Sequence, residues 1–172
     1  MRMIFPILWL TGNSGAGKTT LAEAFEKHWN DRPADSHPLS RRVLVLDGDE
    51  MRSTISERDS LSAEDRRTHN LRVARLARLM QRKGFLVVVA VIAPFADVRE
   101  EISQLCKPLW IYIKRSGLSA PDRPYEIPTH PAYTIDNDML TKEEGLLELL
   151  AFMKGYETGT LMKRRKTVEA KP

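Results

Sequence analysis

Apolar residues in this chain fall in short continuous runs separated by longer stretches in which they recur every three or four positions. The first run, Ile4-Phe5-Pro6-Ile7-Leu8-Trp9-Leu10, predicts a buried strand. It is followed after a glycine-rich loop by a helix from about Lys18 to Trp29, with Leu21, Ala24, Phe25 and His28 at helical spacing. Residues 30–40, rich in Asp, Pro and Ser, predict a surface connection, and Val43-Leu44-Val45-Leu46 a second buried strand ending in an Asp47-Gly48-Asp49 turn. Ser62-Ala63-Glu64-Asp65 reads as a capping box opening a long helix to Lys83, whose stripe is Leu71, Ala74, Leu76, Ala77, Leu79 and Met80. Gly84 stops it. Phe85 to Ile92, the most hydrophobic run, predicts the central strand. A helix over 97–105, strands at 110–113 and 133–135, a Pro-rich loop to Pro131 and a helix over 141–153 complete the pattern. Strands alternating with helices predict an α/β fold of three layers, a parallel five-stranded sheet with helices on both faces.

With 42% hydrophobic and 29% charged residues over 172 positions, the composition excludes a disordered or fibrous chain and suits one domain. The domain is expected over 1–155, with a flexible basic tail over 156–172. Lys163, Arg164, Arg165, Lys166 and Lys171 against Glu169 already equal the chain's net charge of +4, so the body is formally neutral. A neutral body argues against a nucleic-acid substrate, which demands phosphate-tracking charge. No apolar run is long enough for a membrane span, and the N-terminal run lacks a cleavage site, so a cytoplasmic protein is expected. The single cysteine, Cys106, has no metal-ligand pattern around it.

Between the first strand and first helix stands Gly12-Asn13-Ser14-Gly15-Ala16-Gly17-Lys18-Thr19-Thr20, a complete G-x-x-x-x-G-K-[ST] match in the required strand–loop–helix context. Its glycines let backbone N–H groups turn inward on a polyphosphate, Lys18 reaches the β and γ phosphates, and the Thr19 hydroxyl can ligate Mg²⁺. ATP and Mg²⁺ are therefore expected at residues 12–20.

Five colinear blocks resemble the adenylylsulfate kinases over about residues 8–150: Trp9 to Thr20, Leu46-Asp47-Gly48-Asp49-Glu50-Met51-Arg52, Leu61-Ser62-Ala63-Glu64-Asp65-Arg66, Val91-Ile92-Ala93-Pro94-Phe95, and Pro124-Tyr125-Glu126-Ile127-Pro128 with His130-Pro131 and Ile135-Asp136. Enzymes of that family transfer the γ-phosphoryl of ATP to the ribose 3′-hydroxyl of adenosine 5′-phosphosulfate. The resemblance implies a P-loop kinase fold and a small-molecule nucleotide acceptor, with a homodimer as its expected assembly. It implies Asp49 as the base for the acceptor hydroxyl beside the catalytic Lys18, Asp47 as orienting Mg²⁺ water beside Thr19, and Arg52 and Arg66 as holding the acceptor's anion. Ile92, Ala93 and Arg123 are expected on the acceptor side.

The chain also departs from the family. Where members carry Arg-x-x-Asn, His69 falls on the asparagine and Asn70 lies one residue late; either could meet the acceptor, and His69 reads equally well as an exposed helical histidine. The serine that many members place before the Pro is Ala93, which excludes a phosphoenzyme there. The basic lid with its stacking aromatic is missing, since only Ser116 to Pro121 separates Arg115 from Asp122. Arg115 and Arg123 could replace lid cations, and Phe95 or Tyr125 could supply a stacking face. Two further readings remain open: a kinase of another nucleotide-linked acceptor, such as a cytidine diphospho-conjugate, and a nucleotide-binding protein without kinase activity.

Overall fold

The computed structural model describes residues 4–157, so the anticipated tail lies almost entirely outside the described residues. Five strands, β1 (Ile7–Thr11), β2 (Val43–Asp47), β3 (Leu86–Ala90), β4 (Leu109–Lys114) and β5 (Tyr133–Asp136), pair in parallel in the order β2-β3-β1-β4-β5. The helices are α1 (Lys18–Asn30), α2 (Gly48–Thr54), α3 (Ala63–Lys83), α4 (Ala96–Cys106) and α5 (Lys142–Glu157).

The period of two along β1 assigns its side chains to two cores. Leu8 and Leu10 join Phe25, Trp29, Leu149 and Phe152 under α1 and α5, whereas Ile7 and Trp9 join Val73, Ala74, Ala77 and Ile102 under α3 and α4. Full burial of an aliphatic or Phe side chain contributes about 1.5–3 kcal/mol, so two such layers hold the sheet from both faces. Trp9 adds a tilted ring contact with Trp110, centroids 5.2 Å apart, and donates Nε1–H to the Val91 carbonyl at 2.9 Å.

Several boundaries differ from the sequence pattern for local reasons. β1 begins at Ile7, with Ile4 exposed, because Pro6 has no N–H for the ladder. β1, not β3, is the middle strand, although β3 is interior as well. β3 ends at Ala90, since the Val91 and Ile92 carbonyls are taken by Trp9 Nε1 and by Thr11 Oγ1 at 2.6 Å. The expected turn after β2 is instead the helix α2, capped by Asp47, whose Oδ1 accepts from the N–H groups of Asp49 at 2.9 Å and Glu50 at 3.5 Å. Half of the capping box at α3 forms: Ser62 Oγ accepts from Asp65 N–H, but the Asp65 carboxylate turns away to Ser60. Gly84 ends α3 with φ 97°, a value glycine adopts without strain. On α3 Leu71, Ala74 and Ala77 are buried, but Leu79 faces outward at 48% exposure.

Candidate active site

All five parallel strands end on one side of the sheet, and the loops there surround a cavity of about 500 Å³. The position is that of a ligand crevice at the carboxyl ends of an open α/β sheet, where the chain leaves β1 between β3 and β4.

One wall is the glycine-rich loop. Gly12 must be glycine because a Cβ there would meet the Ile113 carbonyl oxygen at 2.4 Å. Gly17, at φ 100°, precedes α1 without a side-chain cap, and the first turn of α1 carries no acidic residue. The open N–H groups of this 13-residue helix therefore favour an external anion. Lys18 is buried and donates Nζ–H to the carbonyls of Gly12 at 2.8 Å and Asn13 at 2.7 Å. Burial pulls its pKa down to about 8 against the opposing pull of Asp47 and Asp49. Thr19 Oγ1 donates to Asp47 Oδ2 at 2.6 Å. This hydroxyl–carboxylate pair offers hard oxygen donors, and among the described residues no cluster of three or more His, Cys, Asp or Glu forms a separate metal cage. The set suits Mg²⁺, which keeps several waters and shares one or two protein oxygens with substrate phosphates.

The facing wall carries Asp49 from the first turn of α2, then Arg52, and Arg66, His69 and Asn70 from α3. Arg52 donates to the Ser60 carbonyl at 3.4 Å and Arg66 Nε to that of Leu61 at 2.8 Å, and neither has a carboxylate ion partner among the described residues. Burial and the neighbouring Arg52 lower the Arg66 pKa. Asp122, on the same cavity, opposes that shift without closing into an ion pair, and two adjacent guanidinium groups facing one cavity suit a bidentate oxyanion.

His69 is buried, not exposed, with 1% of its surface accessible. Its Nδ1 bonds Ser56 Oγ at 3.0 Å, and Ser56 also receives Arg72 Nη1 at 3.2 Å. Arg72 is itself paired with Asp59 at 2.5 Å. His69 Nε2 and Asn70 Oδ1 are buried without hydrogen-bond partners, so the structure brings both residues of the displaced motif to the cavity and leaves a polar atom open on each. Burial and Arg52 press the His69 pKa down to about 4. The unfolded chain then binds more protons than the folded one between that value and the ordinary 6.5, so stability falls as pH drops through this window. His69→Asn is expected to flatten that segment of a stability-versus-pH curve measured by urea denaturation; an unchanged slope would mean His69 is not the titrating group.

The floor is Ile92, Ala93 and Pro94, and the rim is Asp122, Arg123 and Pro124. Ala93 holds φ 47°, rare for a residue with a Cβ. Phe95 is half-buried against the α3–α4 core, and Tyr125 stacks on Tyr112 at 6.2 Å with its hydroxyl bonded to Thr11 Oγ1 at 3.0 Å. Neither ring lines the cavity, and no Phe, Tyr or Trp does among the described residues. Of the two candidate lid replacements, Arg123 lines this cavity. Arg115 donates to the Gly15 carbonyl at 3.2 Å and lines a second cavity of about 320 Å³ with Gly17, Thr20, Asn137 and Thr141. Gly12 and Ala16 are buried in the loop and line neither.

Residues 5–116 match the family model described as adenylylsulphate kinase. The chain belongs to the adenylylsulphate kinase family. It is 35% identical to the adenylyl-sulfate kinase of Myxococcus xanthus, with 86% of this chain and 90% of that one covered. It is 33% identical to the probable adenylyl-sulfate kinase of Pyrococcus abyssi, covering 80% and 88% respectively. The fold is also that of the Mycobacterium tuberculosis APS kinase CysC solved in complex with AMPPNP and APS, with TM-score 0.73, 21% identity and coverage of 87% and 98%. The matched segment spans the phosphate loop, α2, α3 and the Ile92–Pro94 floor.

Proposed function

We propose that this chain is an ATP-dependent kinase that transfers the γ-phosphoryl group to the ribose 3′-hydroxyl of adenosine 5′-phosphosulfate. One observation carries the reading: a phosphate loop, the Asp47 and Asp49 carboxylates and a pair of arginines outside any salt bridge among the described residues converge on a single cavity. Phosphoryl transfer consists mostly of positioning and charge stabilisation, and these groups supply both. In this reading the loop from Gly12 to Thr20 holds the polyphosphate of ATP. Lys18 stabilises charge on the transferring group, and Asp49 accepts the proton of the attacking hydroxyl. Thr19 would hold Mg²⁺ and Asp47 its water; the ion, when bound, neutralises charge between the β and γ phosphates. Arg52 and Arg66 anchor the acceptor's anion, with Arg123 at the rim, Ile92 and Ala93 beneath, and His69 Nε2 and Asn70 Oδ1 meeting its polar groups. The second cavity, which touches the loop through Gly17 and Thr20, receives the nucleoside end of ATP with Arg115 beside it.

The residues that would anchor the anion have a separable test. Arg52→Ala or Arg66→Ala is expected to raise the acceptor KM by about tenfold or more, given that hydrogen bonds to charged groups contribute ~1.5–3 kcal/mol, with the KM for ATP unmoved. An unchanged acceptor KM would remove the anchor.

A second reading is favoured by the bare apolar floor. With no Phe, Tyr or Trp on the cavity wall among the described residues and no lid helix between Lys114 and Arg123, adenine lacks the stacking clamp of a large aromatic there, and another nucleotide conjugate could be the acceptor. Mass-spectrometric product detection decides between them after incubation with Mg²⁺·ATP and, in separate vessels, adenosine 5′-phosphosulfate and other nucleotide 5′-conjugates. A new 3′-phosphate on adenosine phosphosulfate supports the first reading. Transfer only to another conjugate reassigns the acceptor, and no transfer to any sinks the kinase reading. A homodimer in the cytoplasm, where ATP is available, belongs to the same proposal; light scattering at one chain's mass would count against the dimer. Among the described residues no helix is long and apolar enough to cross a membrane.

A further inference from the structure

Arg99 stands at the fourth position of α4, near the positive end of the helix dipole, where a cation is disfavoured, and only 7% of its surface is exposed. Burying a guanidinium there requires partners, and it has them. Nη1 donates to the carbonyls of Ala93 at 2.8 Å and Pro94 at 3.2 Å, and Nη2 donates to that of Glu126 at 2.8 Å. Its Cζ lies 5.9 Å from the centroid of the Tyr125 ring. Helical side chains lean toward the N-terminus of their helix, which is how a residue on α4 reaches back to the segment that precedes it.

These contacts join two pieces of chain that no strand pairing holds. The first is the floor of the cavity, Ile92 to Pro94, with Ala93 in its left-handed conformation. The second is the irregular segment around residues 122–128, which carries Arg123. Further ties run in parallel: Glu126 N–H to the Pro94 carbonyl at 2.9 Å, Ala96 N–H to Glu126 Oε2 at 2.7 Å, and Tyr125 hydroxyl to Thr11 Oγ1 at 3.0 Å. With only eight residues between Lys114 and Arg123, the rim has no helix of its own to brace it.

We propose that Arg99 is a positioning residue: its guanidinium fixes the Ala93 turn and the Arg123-bearing rim to each other, and so sets the width of the acceptor side of the cavity without touching either substrate. The function of that side rests on the acceptor reading given above; the mechanical tie does not. Lysine cannot replace it, because one ammonium on a flexible stem does not reproduce a planar fork serving three carbonyls.

The test combines kinetics with amide hydrogen exchange on the full chain. Arg99→Lys is expected to raise the acceptor KM about tenfold or more while the KM for ATP moves by less than about twofold. Exchange in the peptide spanning 121–128 should quicken by about tenfold or more, with the phosphate-loop peptide unchanged, because local opening follows loss of local ties. Glu126→Ala, at an exposed position, cuts the carboxylate tie to Ala96 and removes a charge that supports Arg99 while leaving the Arg99 bonds to backbone carbonyls; it should give the same pattern more weakly, which covers the case that Arg99→Lys folds poorly. Rises in both KM values with faster exchange throughout would make Arg99 merely structural and overturn the proposal. Unchanged exchange at 121–128 would overturn it too, whatever the kinetics. If the wild type phosphorylated no nucleotide, the kinase reading would fail while the exchange experiment still decided the tie.

Discussion

Asp49→Asn is expected to lower turnover by ~10²- to 10⁴-fold, the usual contribution of a positioned base, while the KM for ATP stays within about twofold. The replacement keeps the side chain's size and its place in the first turn of α2 and removes its capacity to take a proton. ATP should notice little, because the loop amides, Lys18 and Thr19 belong to the other wall. Asp49 has one alternative role, as a charge that supports the Lys18 cation, since its carboxylate raises the Lys18 pKa. The two roles separate in the pH profile. Loss of a base lowers the rate at every pH, whereas loss of support for Lys18 lowers it mainly on the alkaline side. Single-turnover rates across pH 6 to 10 would tell them apart, and a turnover unchanged at pH 7 would take Asp49 out of the reaction. Asp47→Asn is a poor substitute for this experiment, because Asp47 also caps α2 and accepts from Thr19, so its loss disturbs both walls at once.

The sheet, the two helical layers and the phosphate loop were legible because each rests on a local pattern: apolar runs for strands, spacing of three and four for α3, glycines before Lys18 for the loop. The facing wall was legible in part. Its charged residues, Asp49, Arg52 and Arg66, were found through motif resemblance, and the structure brings them to one cavity. What stayed hidden depends on contacts between residues far apart in the chain. His69 read equally well as an acceptor contact and as an exposed helical histidine, and its burial against Ser56, thirteen residues away, is a contact that no local pattern announces. Arg99 offered no motif, because its partners at Ala93, Pro94 and Glu126 are backbone carbonyls, which any residue type supplies. The helix α2 was missed for a different reason. An Asp-Gly-Asp sequence carries strong turn propensity, and here the turn is the cap of a helix only seven residues long. The same carboxylate thus ends a strand, starts a helix and faces Thr19, three roles that propensity alone cannot distinguish.

Lys18→Met is expected to cut kcat/KM for ATP by about 10²- to 10³-fold, the scale for removing one preorganised stabiliser of transition-state charge. The more informative result is the pH dependence of the wild type. Burial holds the folded Lys18 pKa near 8 against an ordinary 10.5, so in the free enzyme the cation is lost as pH rises through about 8. Bound phosphate places negative charge beside the ammonium and favours the charged form, which raises the pKa again. kcat/KM for ATP reports the free enzyme and should therefore fall above pH 8. kcat, measured with ATP saturating, reports the complex and should hold to higher pH. Lys18→Arg keeps a charge that no accessible pH removes, yet its larger planar head does not fit the slot where Nζ meets the Gly12 and Asn13 carbonyls. That variant should be slow but without the alkaline limb in kcat/KM. If the limb persists in Lys18→Arg, another group titrates there, and the cation that the fold depresses by burial is not the one whose charge the reaction uses.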